Sequence, residues 1–292
     1  MTATAKADRP IGSFPPNGSF YKDVRQTLRS FCPQSVLNWR EARFYGLYGE
    51  VELHLLEFLC RPDQDAIDVG ANDGSYVHYL RRHARRVIAF EPMPVLARAL
   101  RRKFPRGVIV ESLALSDRTG TVSLRMPVVD GVVVTGCSTV SQTASAAYPG
   151  YRAVDVPMDR LDNVYGDQVG FIKIDVEGHQ QAVLDGAVET IRRCQPRMLV
   201  EVENRLSPGG LVRAKGYFRE LGYQGYYVRR GRLEPIDSFS IEQFQDPANL
   251  PDLTASLEQR ERFGRYIYNF IFLPQGEPAE TLQRLSDRLA RL

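Results

Sequence analysis

A glycine-containing turn between residues 65 and 75 is the sharpest local signal in the chain. The segment reads Asp65-Ala-Ile-Asp-Val-Gly-Ala-Asn-Asp-Gly-Ser75, an apolar run typical of a buried strand that turns directly into a helix. Gly70 and Gly74 permit a tight turn and a close approach of a ligand to the backbone. Asp68 at the strand end and Asn72 inside the turn offer polar atoms to a ligand. The turn predicts a binding site for a small molecule.

A second acidic residue follows the next predicted strand. Glu91 lies 21 positions after Gly70, in the segment Ala89-Phe-Glu-Pro92. At this spacing a carboxylate accepts hydrogen bonds from the hydroxyls of a cofactor ribose. The alternative is that Asp68 and Glu91 only cap strands and helices. Two acids at successive strand ends beside a glycine turn favour the ribose-bearing cofactor.

The glycine spacing discriminates between NAD and S-adenosylmethionine, which both use this geometry. A pyrophosphate requires G-x-G-x-x-G, with free backbone N–H groups at a helix N-terminus. The run from Gly70 to Gly74 has another spacing and puts Asp73 where that anion would lie. The cationic sulfonium and ammonium groups of S-adenosylmethionine tolerate an acid there. We therefore expect S-adenosylmethionine, and a nicotinamide-dependent oxidoreductase is the alternative.

A second group of polar residues follows the fourth predicted strand, in Gly170-Phe-Ile-Lys-Ile-Asp-Val-Glu-Gly-His-Gln180. Ligands of open α/β sheets bind beyond the carboxyl ends of the strands, so this strand end should face the glycine turn. Asp175 and Glu177 close the strand, and His179 is a candidate general base near neutral pH. The alternative for His179 is a surface or capping role. We predict Asp175, Glu177 and His179 as catalytic residues.

The segment Leu199-Val-Glu-Val-Glu-Asn204 adds polar side chains after the fifth predicted strand. Oxygen ligands from two adjacent strand ends would suit Mg²⁺, with Asp175, Glu203 and Asn204 as the candidate set. Solvated strand-end acids are the alternative. We favour the metal-free site, because strand-end acids are common and this ligand set is incomplete.

The elements that position these residues alternate between β-branched runs and stretches with helical period. This pattern predicts an α/β, Rossmann-like, doubly wound and mostly parallel sheet of seven strands, the last of them antiparallel. The predicted strands are Ala66–Val69, Val87–Phe90, Val108–Val110, Phe171–Ile174, Met198–Val202, Gln224–Val228 and Tyr266–Phe272. The predicted helices are Trp39–Cys60, Tyr76–His83, Pro94–Phe104, Gln180–Arg193, Gly210–Leu221 and Glu280–Leu292.

The spacing of these elements predicts the domain organisation. We expect a mobile lead-in over residues 1–20, a helical cap over 21–60, a main domain over 61–275 and a C-terminal helix over 276–292. Two segments exceed the usual loop length, residues 116–165 and 229–265, and are interpreted as functional insertions.

Composition limits the classes of function. In 292 residues, 43% apolar and 25% charged, no apolar run approaches the ~20 residues of a membrane span. The four cysteines match neither a zinc pattern nor a CxxC pair, which predicts a cytoplasmic, reduced protein. Arginines outnumber lysines, yet the net charge is only +3, and carboxylates are interspersed. We therefore expect no nucleic-acid partner.

The order and spacing of five motifs resemble the FkbM-type methyltransferases over residues 45–205. The motifs are Asp68-Val-Gly-Ala-Asn-Asp-Gly-Ser-Tyr76, Ala89-Phe-Glu-Pro92, Ala114-Leu-Ser-Asp117, Lys173-Ile-Asp-Val-Glu-Gly178 and Val183-Leu-Asp-Gly-Ala187. The resemblance implies a Rossmann-like methyltransferase fold with S-adenosylmethionine as methyl donor, and Ala114 and Leu115 as further cofactor contacts. It also implies methylation of a hydroxyl on a sugar, polyketide or other secondary metabolite, so the partner would be a small-molecule or glycan acceptor.

Two features leave alternatives open within that resemblance. The family commonly has glutamate where this chain has Gln180, so a role that needs negative charge there is in doubt. The stretch Gly136-Cys-Ser-Thr-Val140 would contact cofactor or acceptor, or would be an ordinary loop. A non-catalytic module that retains the fold is a further alternative, and the sequence leaves both a monomer and a homo-oligomer open.

Overall fold

The apolar runs of the sequence form a central sheet in the computed structural model, which describes residues 34–129, 132–133, 135–145, 150–250 and 263–292. The strands are β1 (Asp65–Val69), β2 (Val87–Phe90), β3 (Val108–Glu111), β4 (Ala114–Leu115), β5 (Gly120–Val129), β6 (Val132–Val133), β7 (Tyr151–Asp159), β8 (Val169–Ile174), β9 (Arg197–Glu201), β10 (Tyr223–Arg229), β11 (Arg232–Pro235) and β12 (Asn269–Pro274).

Eight strands of the described residues form the central sheet in the order β11-β10-β12-β9-β8-β1-β2-β3. The pairs β1/β2, β2/β3, β1/β8 and β8/β9 are parallel, and β12 runs antiparallel to both β9 and β10. The seven predicted strands and the antiparallel last strand of the prediction are confirmed. The order reverses between β1 and β8, which is the switch point of a doubly wound sheet.

The eighth strand, β11, lies in the segment predicted as an insertion. It pairs with β10 through a two-residue turn at Arg230 and Gly231, whose φ angles are 47° and 74°. Positive φ at both central residues matches the twist of a hairpin. The prediction missed the strand because Arg-Gly is not among the residue pairs that signal such a turn.

Both faces of the sheet are covered, which explains why every residue of β1 and β8 is buried. Ile67, Ile172 and Ile174 pack into one core. Ala66 and Phe171, which alternate with them, pack into the other. Within the described residues, no helix is long and apolar enough to span a membrane.

The helices of the described residues are numbered separately from the strands. They are α1 (Gln34–Tyr48), α2 (Leu56–Leu59), α3 (Ser75–Leu80), α4 (Pro94–Lys103), α5 (Gln142–Ser145), α6 (Leu161–Val164), α7 (Gln180–Asp185), α8 (Val188–Cys194), α9 (Gly210–Glu220), α10 (Ile241–Phe244) and α11 (Ala279–Leu289). Helix α11 covers most of the predicted C-terminal helix.

Two helices predicted as continuous are interrupted by glycine. The predicted helix over Trp39–Cys60 ends at Tyr48, before Gly49, and continues as a 3-10 turn over Val51–His54 and then as α2. The predicted helix over Gln180–Arg193 divides into α7 and α8 at Gly186. A Cβ atom on Gly186 would lie 1.9 Å from the carbonyl oxygen of Ser116, so this close approach requires glycine.

The first predicted insertion, residues 116–165, contributes most of a second sheet. In the described residues this sheet has the order β4-β7-β5-β6. It carries its own apolar cluster, made of Met93, Ala114, Leu124, Val156 and Met158.

The chain divides into the units Met1–Glu41 and Ala42–Leu292, and both sheets belong to the second. The predicted lead-in and the first part of the predicted cap, together with Cys32, lie outside the described residues.

Candidate active site

The glycine turn is fixed to the strands on both sides of β1. The backbone N–H of Asp175, just after β8, donates to the carbonyl of Val69 at 3.0 Å. The N–H groups of Gly70 and Ala71 donate to the carbonyl of Phe90 at the end of β2, at 2.9 and 3.1 Å. Three strand ends are therefore held together at the switch point.

The two glycines of the turn are required by contacts within the protein. Gly70 has a φ of 83°, and a Cβ atom there would lie 1.9 Å from the carbonyl oxygen of Asp175. Gly74 has a φ of 82°, and its Cβ would lie 2.6 Å from side-chain atoms of Leu100 and of Phe104. From the sequence, both glycines were expected to permit a tight turn and the close approach of a ligand, and the positive φ angles agree with the turn. A Cβ atom at either position would collide with other atoms of the protein itself.

Two adjoining cavities lie at this switch point. The smaller one, here the hollow, is lined by Val69, Gly70, Asn72, Phe90, Glu91, Pro92, Leu113, Ala114, Leu115, Leu124, Gly136, Ser138, Val140, Asp175, Val176, Glu177 and His179. The larger one, here the cleft, has a volume of about 820 Å³. Both are lined by Gly70, Asn72, Gly136, Asp175 and Glu177, so they share one wall.

Most of the predicted site residues line one or both cavities. The hollow brings together Gly70, Asn72, Glu91, Ala114, Leu115, Asp175, Glu177 and His179. The cleft contains Asp68 and Glu203 as well as the shared residues. Gly74 and Asn204 line neither cavity. The predicted stretch Gly136–Val140 also contributes, since Gly136, Ser138 and Val140 line the hollow.

Glu91 is the buried acid of the hollow. Its two carboxylate oxygens accept the backbone N–H groups of Asn72 and Met93, each at 2.8 Å. Burial raises the pKa of Glu91, and these two donors oppose that effect. Each oxygen keeps a second acceptor position, because a carboxylate has about four lone-pair sites.

Lys173 lies between two carboxylates at the floor of the cleft. Its Nζ is 3.0 Å from Asp175 and 3.6 Å from Asp68, and it lies 4.5 Å from the centre of the Tyr76 ring. Burial lowers the pKa of Lys173, but Asp175, Asp68 and Glu50 together raise it above its usual range, so the ammonium stays charged. Sequence analysis gave this lysine no role, although a lysine inside a buried apolar strand was a signal for one.

Asp68 is fully buried, and neither of its carboxylate oxygens has a hydrogen-bond partner among the described residues. Burial raises the pKa of Asp68 to about 6, although the charge of Lys173 opposes this. Buried polar groups are nearly always hydrogen-bonded, so this carboxyl is suited to accept donors from a bound molecule.

One wall of the cleft comes from segments that the sequence analysis did not assign to the site. Glu50 accepts hydrogen bonds from the hydroxyl of Tyr76 and from the side-chain amide of Asn269, the latter at 3.1 Å. Tyr268 also reaches Glu50, at 3.5 Å. Burial is the main reason that the pKa of Glu50 is raised. No local pattern connects Glu50 with residues more than 200 positions later, so the sequence contained no signal for this wall.

Acids at the ends of β8 and β9 form a group that differs from the predicted metal set. Carboxylate oxygens of Asp175, Glu177 and Glu201 lie within 4.8 Å of one another. Burial and the neighbouring charges of Asp175 and Glu203 raise the pKa of Glu177 to about 8, and burial raises that of Glu201. Such a group favours a cation in the cleft.

Two members of the predicted ligand set of Asp175, Glu203 and Asn204 have other partners in the described residues. Glu203 is paired with Arg205 at 2.6 Å, and the side-chain oxygen of Asn204 accepts the backbone N–H of Gly209 at 2.9 Å. The side chain of Asn204 therefore stabilises the loop before α9.

His179 begins α7 and lines the hollow. Its Nε2 lies 3.0 Å from the hydroxyl oxygen of Ser116. Burial lowers the pKa of His179, which keeps the imidazole neutral at physiological pH. The next residue, Gln180, is buried, and both polar atoms of its side chain lack a partner in the described part of the chain.

A family model and several solved structures match the chain. Residues 68–224 match the family model described as the methyltransferase FkbM domain. Among solved structures, methyltransferase FkbM from Methylobacillus flagellatus is 15% identical with a TM-score of 0.44, over 72% of this chain and 43% of that one. This chain thus spans less than half of the Methylobacillus protein.

Two further structures are similar in the same range. A TehB-like SAM-dependent methyltransferase from Corynebacterium glutamicum is 11% identical with a TM-score of 0.39, over 88% of this chain and all of that one (100%). A SAM-dependent O-methyltransferase from Thermotoga maritima is 10% identical with a TM-score of 0.37, over 77% and 64%. No curated protein sequence matches the chain.

Proposed function

The chain belongs to the FkbM methyltransferase family, and from that premise we propose that it transfers a methyl group from S-adenosylmethionine to a hydroxyl of a small-molecule or glycan acceptor. One observation carries the proposal. The strand ends that bear Asp68, Glu91 and Asp175 meet at the switch point, where the hollow adjoins the much larger cleft. A donor and an acceptor would then occupy adjoining spaces.

The residues present fit the donor. Glu91 keeps free acceptor positions for ribose hydroxyls, and the apolar side chains of Leu113, Leu115 and Val140 line the same hollow, where an adenine ring would be buried. The carboxyl of Asp68 is ion-paired with Lys173 but accepts no hydrogen bond within the described residues, and it lies on the cleft side, where it would accept hydrogen bonds from the ammonium group of the methionine moiety. When bound, S-adenosylmethionine supplies an electrophilic methyl group on its sulfonium.

The charge of the cleft argues against the nicotinamide alternative. Eight acidic and three basic side chains line it, and two of the basic ones, Lys173 and Arg205, are already paired with acids. An anionic pyrophosphate would find few free cations in this lining, whereas an ammonium group would find several carboxyls that accept its hydrogen bonds.

We propose that Asp175 orients the acceptor. It lines both cavities, so an acceptor hydroxyl hydrogen-bonded to it would lie at their boundary. Positioning of the oxygen for in-line attack contributes most of the rate of such a transfer, and removal of its proton adds about 10²–10⁴-fold. His179 or Glu177 would take that proton as the new O–C bond forms and the S–C bond breaks.

The test has two arms. Calorimetric titration with S-adenosylmethionine and with NAD separates the methyltransferase from the oxidoreductase, and only the first ligand should bind. Incubation with cofactor and pools of sugars or polyketides should then give a product heavier by one CH₂ group in mass spectrometry.

An Asp175→Asn enzyme should bind the donor and turn over far more slowly, and turnover at the wild-type rate would remove this centre from the mechanism. Donor binding without any product would instead favour the non-catalytic module.

A further inference from the structure

Positive charge is concentrated in one short part of the chain. Residues 81–106 contain nine of the 38 arginine and lysine residues and a single carboxylate, Glu91. Glu91 is buried in the hollow and does not neutralise the surface. The net charge of the whole chain is only +3, so this segment carries far more positive charge than the rest of the chain does on average.

Most of these cations are not neutralised by neighbouring acids. Arg85 and Arg86 both pair with Asp65. The other six arginines form no ion pair with any carboxylate of the described residues, and they are called the basic face here: Arg81, Arg82, Arg98, Arg101, Arg102 and Arg106. All six are exposed.

The basic face is continuous across two helices. Arg81, after α3, lies 5.8 Å from the centre of the Phe104 ring, which follows α4. Arg82 hydrogen-bonds to His78, whose ring lies 6.4 Å from the same Phe104. The buried phenylalanine thus brings the cations at the ends of both helices onto one surface.

Helix α4 has the pattern of a helix that lies on an interface. Its inner side buries Ala97 and Leu100. Val95, Arg98 and Arg102 lie on the outer side at positions i, i+3 and i+7, and Val95 is 53% exposed. Arginines four residues apart repel one another, so this arrangement costs stability unless an external anion offsets it.

We propose that the basic face docks on the surface of an anionic lipid bilayer. Clustered basic residues beside exposed apolar side chains are the combination that binds anionic headgroups and enters the interface. Val95 supplies the apolar side chain on α4, and Ile109 on the edge strand β3 is also 42% exposed. The inference does not depend on the proposed function.

A nucleic acid is less compatible with this surface. Proteins that bind single strands stack bases on exposed aromatic rings. Of the two aromatic rings that contact arginines of the basic face, Phe104 is fully buried and Tyr79 is half-buried beneath Arg82, so neither is an exposed stacking platform. RNA therefore serves as the competing ligand in the test.

The experiment measures cosedimentation of the full chain with vesicles of phosphatidylcholine, with and without phosphatidylglycerol. The wild type should sediment only with the anionic vesicles, and added salt should release it. The variant Arg98→Glu with Arg102→Glu should lower binding at least about tenfold. The matched control, Arg192→Glu with Arg219→Glu, makes the same charge change on exposed positions of α8 and α9 and should bind like the wild type.

Circular dichroism and urea unfolding report whether each variant is folded. Equal sedimentation of the wild type with neutral and anionic vesicles would overturn the proposal. So would wild-type binding by the α4 variant, or an equal loss in the α8/α9 control. Tight binding of a single-stranded RNA without binding of vesicles would assign the basic face to nucleic acid instead.

Discussion

Glu91 shows how one carboxylate combines a structural and a proposed binding role. Its oxygens accept two backbone N–H groups and keep acceptor positions towards the hollow. Glu91→Ala should weaken binding of S-adenosylmethionine by roughly 10- to 150-fold, the cost of lost hydrogen bonds to a charged acceptor.

Calorimetry measures this change in affinity. Because the substitution also leaves the N–H groups of Asn72 and Met93 without their partner, urea unfolding should be measured in parallel. Unchanged affinity in a folded Glu91→Ala protein would contradict the ribose assignment.

The two candidate bases differ in the pH at which they lose their proton. The pKa of Glu177 is raised to about 8, whereas the pKa of His179 is lowered from its ordinary value near 6.5. A general base is active when deprotonated, so kcat/KM should rise with pH through the pKa of the group that acts. A midpoint near pH 8 that disappears in Glu177→Gln would identify the glutamate. A midpoint below 6.5 that disappears in His179→Asn would identify the histidine.

Whether turnover requires a metal ion is a separate question that concerns the same residues. We expect EDTA to leave turnover unchanged, because the cationic donor and Lys173 already offset part of the negative charge of the cleft. Loss of activity in EDTA and its recovery with Mg²⁺ would contradict this expectation. The ligands would then be sought among Asp175, Glu177 and Glu201.

At the scale of elements, the close packing of the ends of β1 and β8 requires glycine at position 70 even without a ligand. Gly70→Ala places a Cβ against the carbonyl of Asp175 and strains a backbone with φ of 83°. We expect a loss of roughly 2 kcal/mol or more in the free energy of unfolding. Gly166→Ala is the matched control, since nothing lies within 4 Å of its Cβ, and it should change stability by less than about 0.5 kcal/mol. Urea unfolding of both variants checks the difference, and equal stability would contradict the steric account.

Helices and strands could be predicted where the residues of a single segment were enough to indicate them. The buried strands and the acid that follows β2 depend on local runs of residue types, so they could be placed from sequence. The break at Gly186 was missed because a glycine inside a periodic helix pattern does not reveal that another backbone segment approaches it. The wall around Glu50 and Asn269 was missed because it exists only after distant segments pack together.

At the scale of the whole molecule, buried carboxyls make stability depend on pH. Burial and the neighbouring Glu50 raise the pKa of Glu52 to about 8, above the value of about 4.5 expected in the unfolded chain. The folded state therefore holds this proton more tightly. The resulting stability is complete below pH 4.5 and is lost as pH rises to about 8, by up to about 1.4 kcal/mol per pH unit.

Glu52→Gln removes this titration, so the melting temperature of the variant should fall less than that of the wild type between pH 5 and pH 8. Scanning calorimetry across this range measures the difference. Glu57→Gln, at an exposed position of α2, is the control and should follow the wild-type curve. A Glu52→Gln protein with the wild-type pH dependence would show that Glu52 is ionised in the folded state.

The position of the last strand in the sheet determines when the sheet can be completed during translation. Strand β12 lies between β9 and β10, although both are translated before it. At about 5–20 residues per second, the stretch of roughly 40 residues from the end of β10 to the start of β12 takes on the order of 2–8 s to translate. For that time, β9 and the β10/β11 hairpin each present an unpaired edge, the kind of surface that pairs wrongly with other chains. A nascent chain stalled before residue 269 should therefore be more prone to aggregate than one released after residue 274.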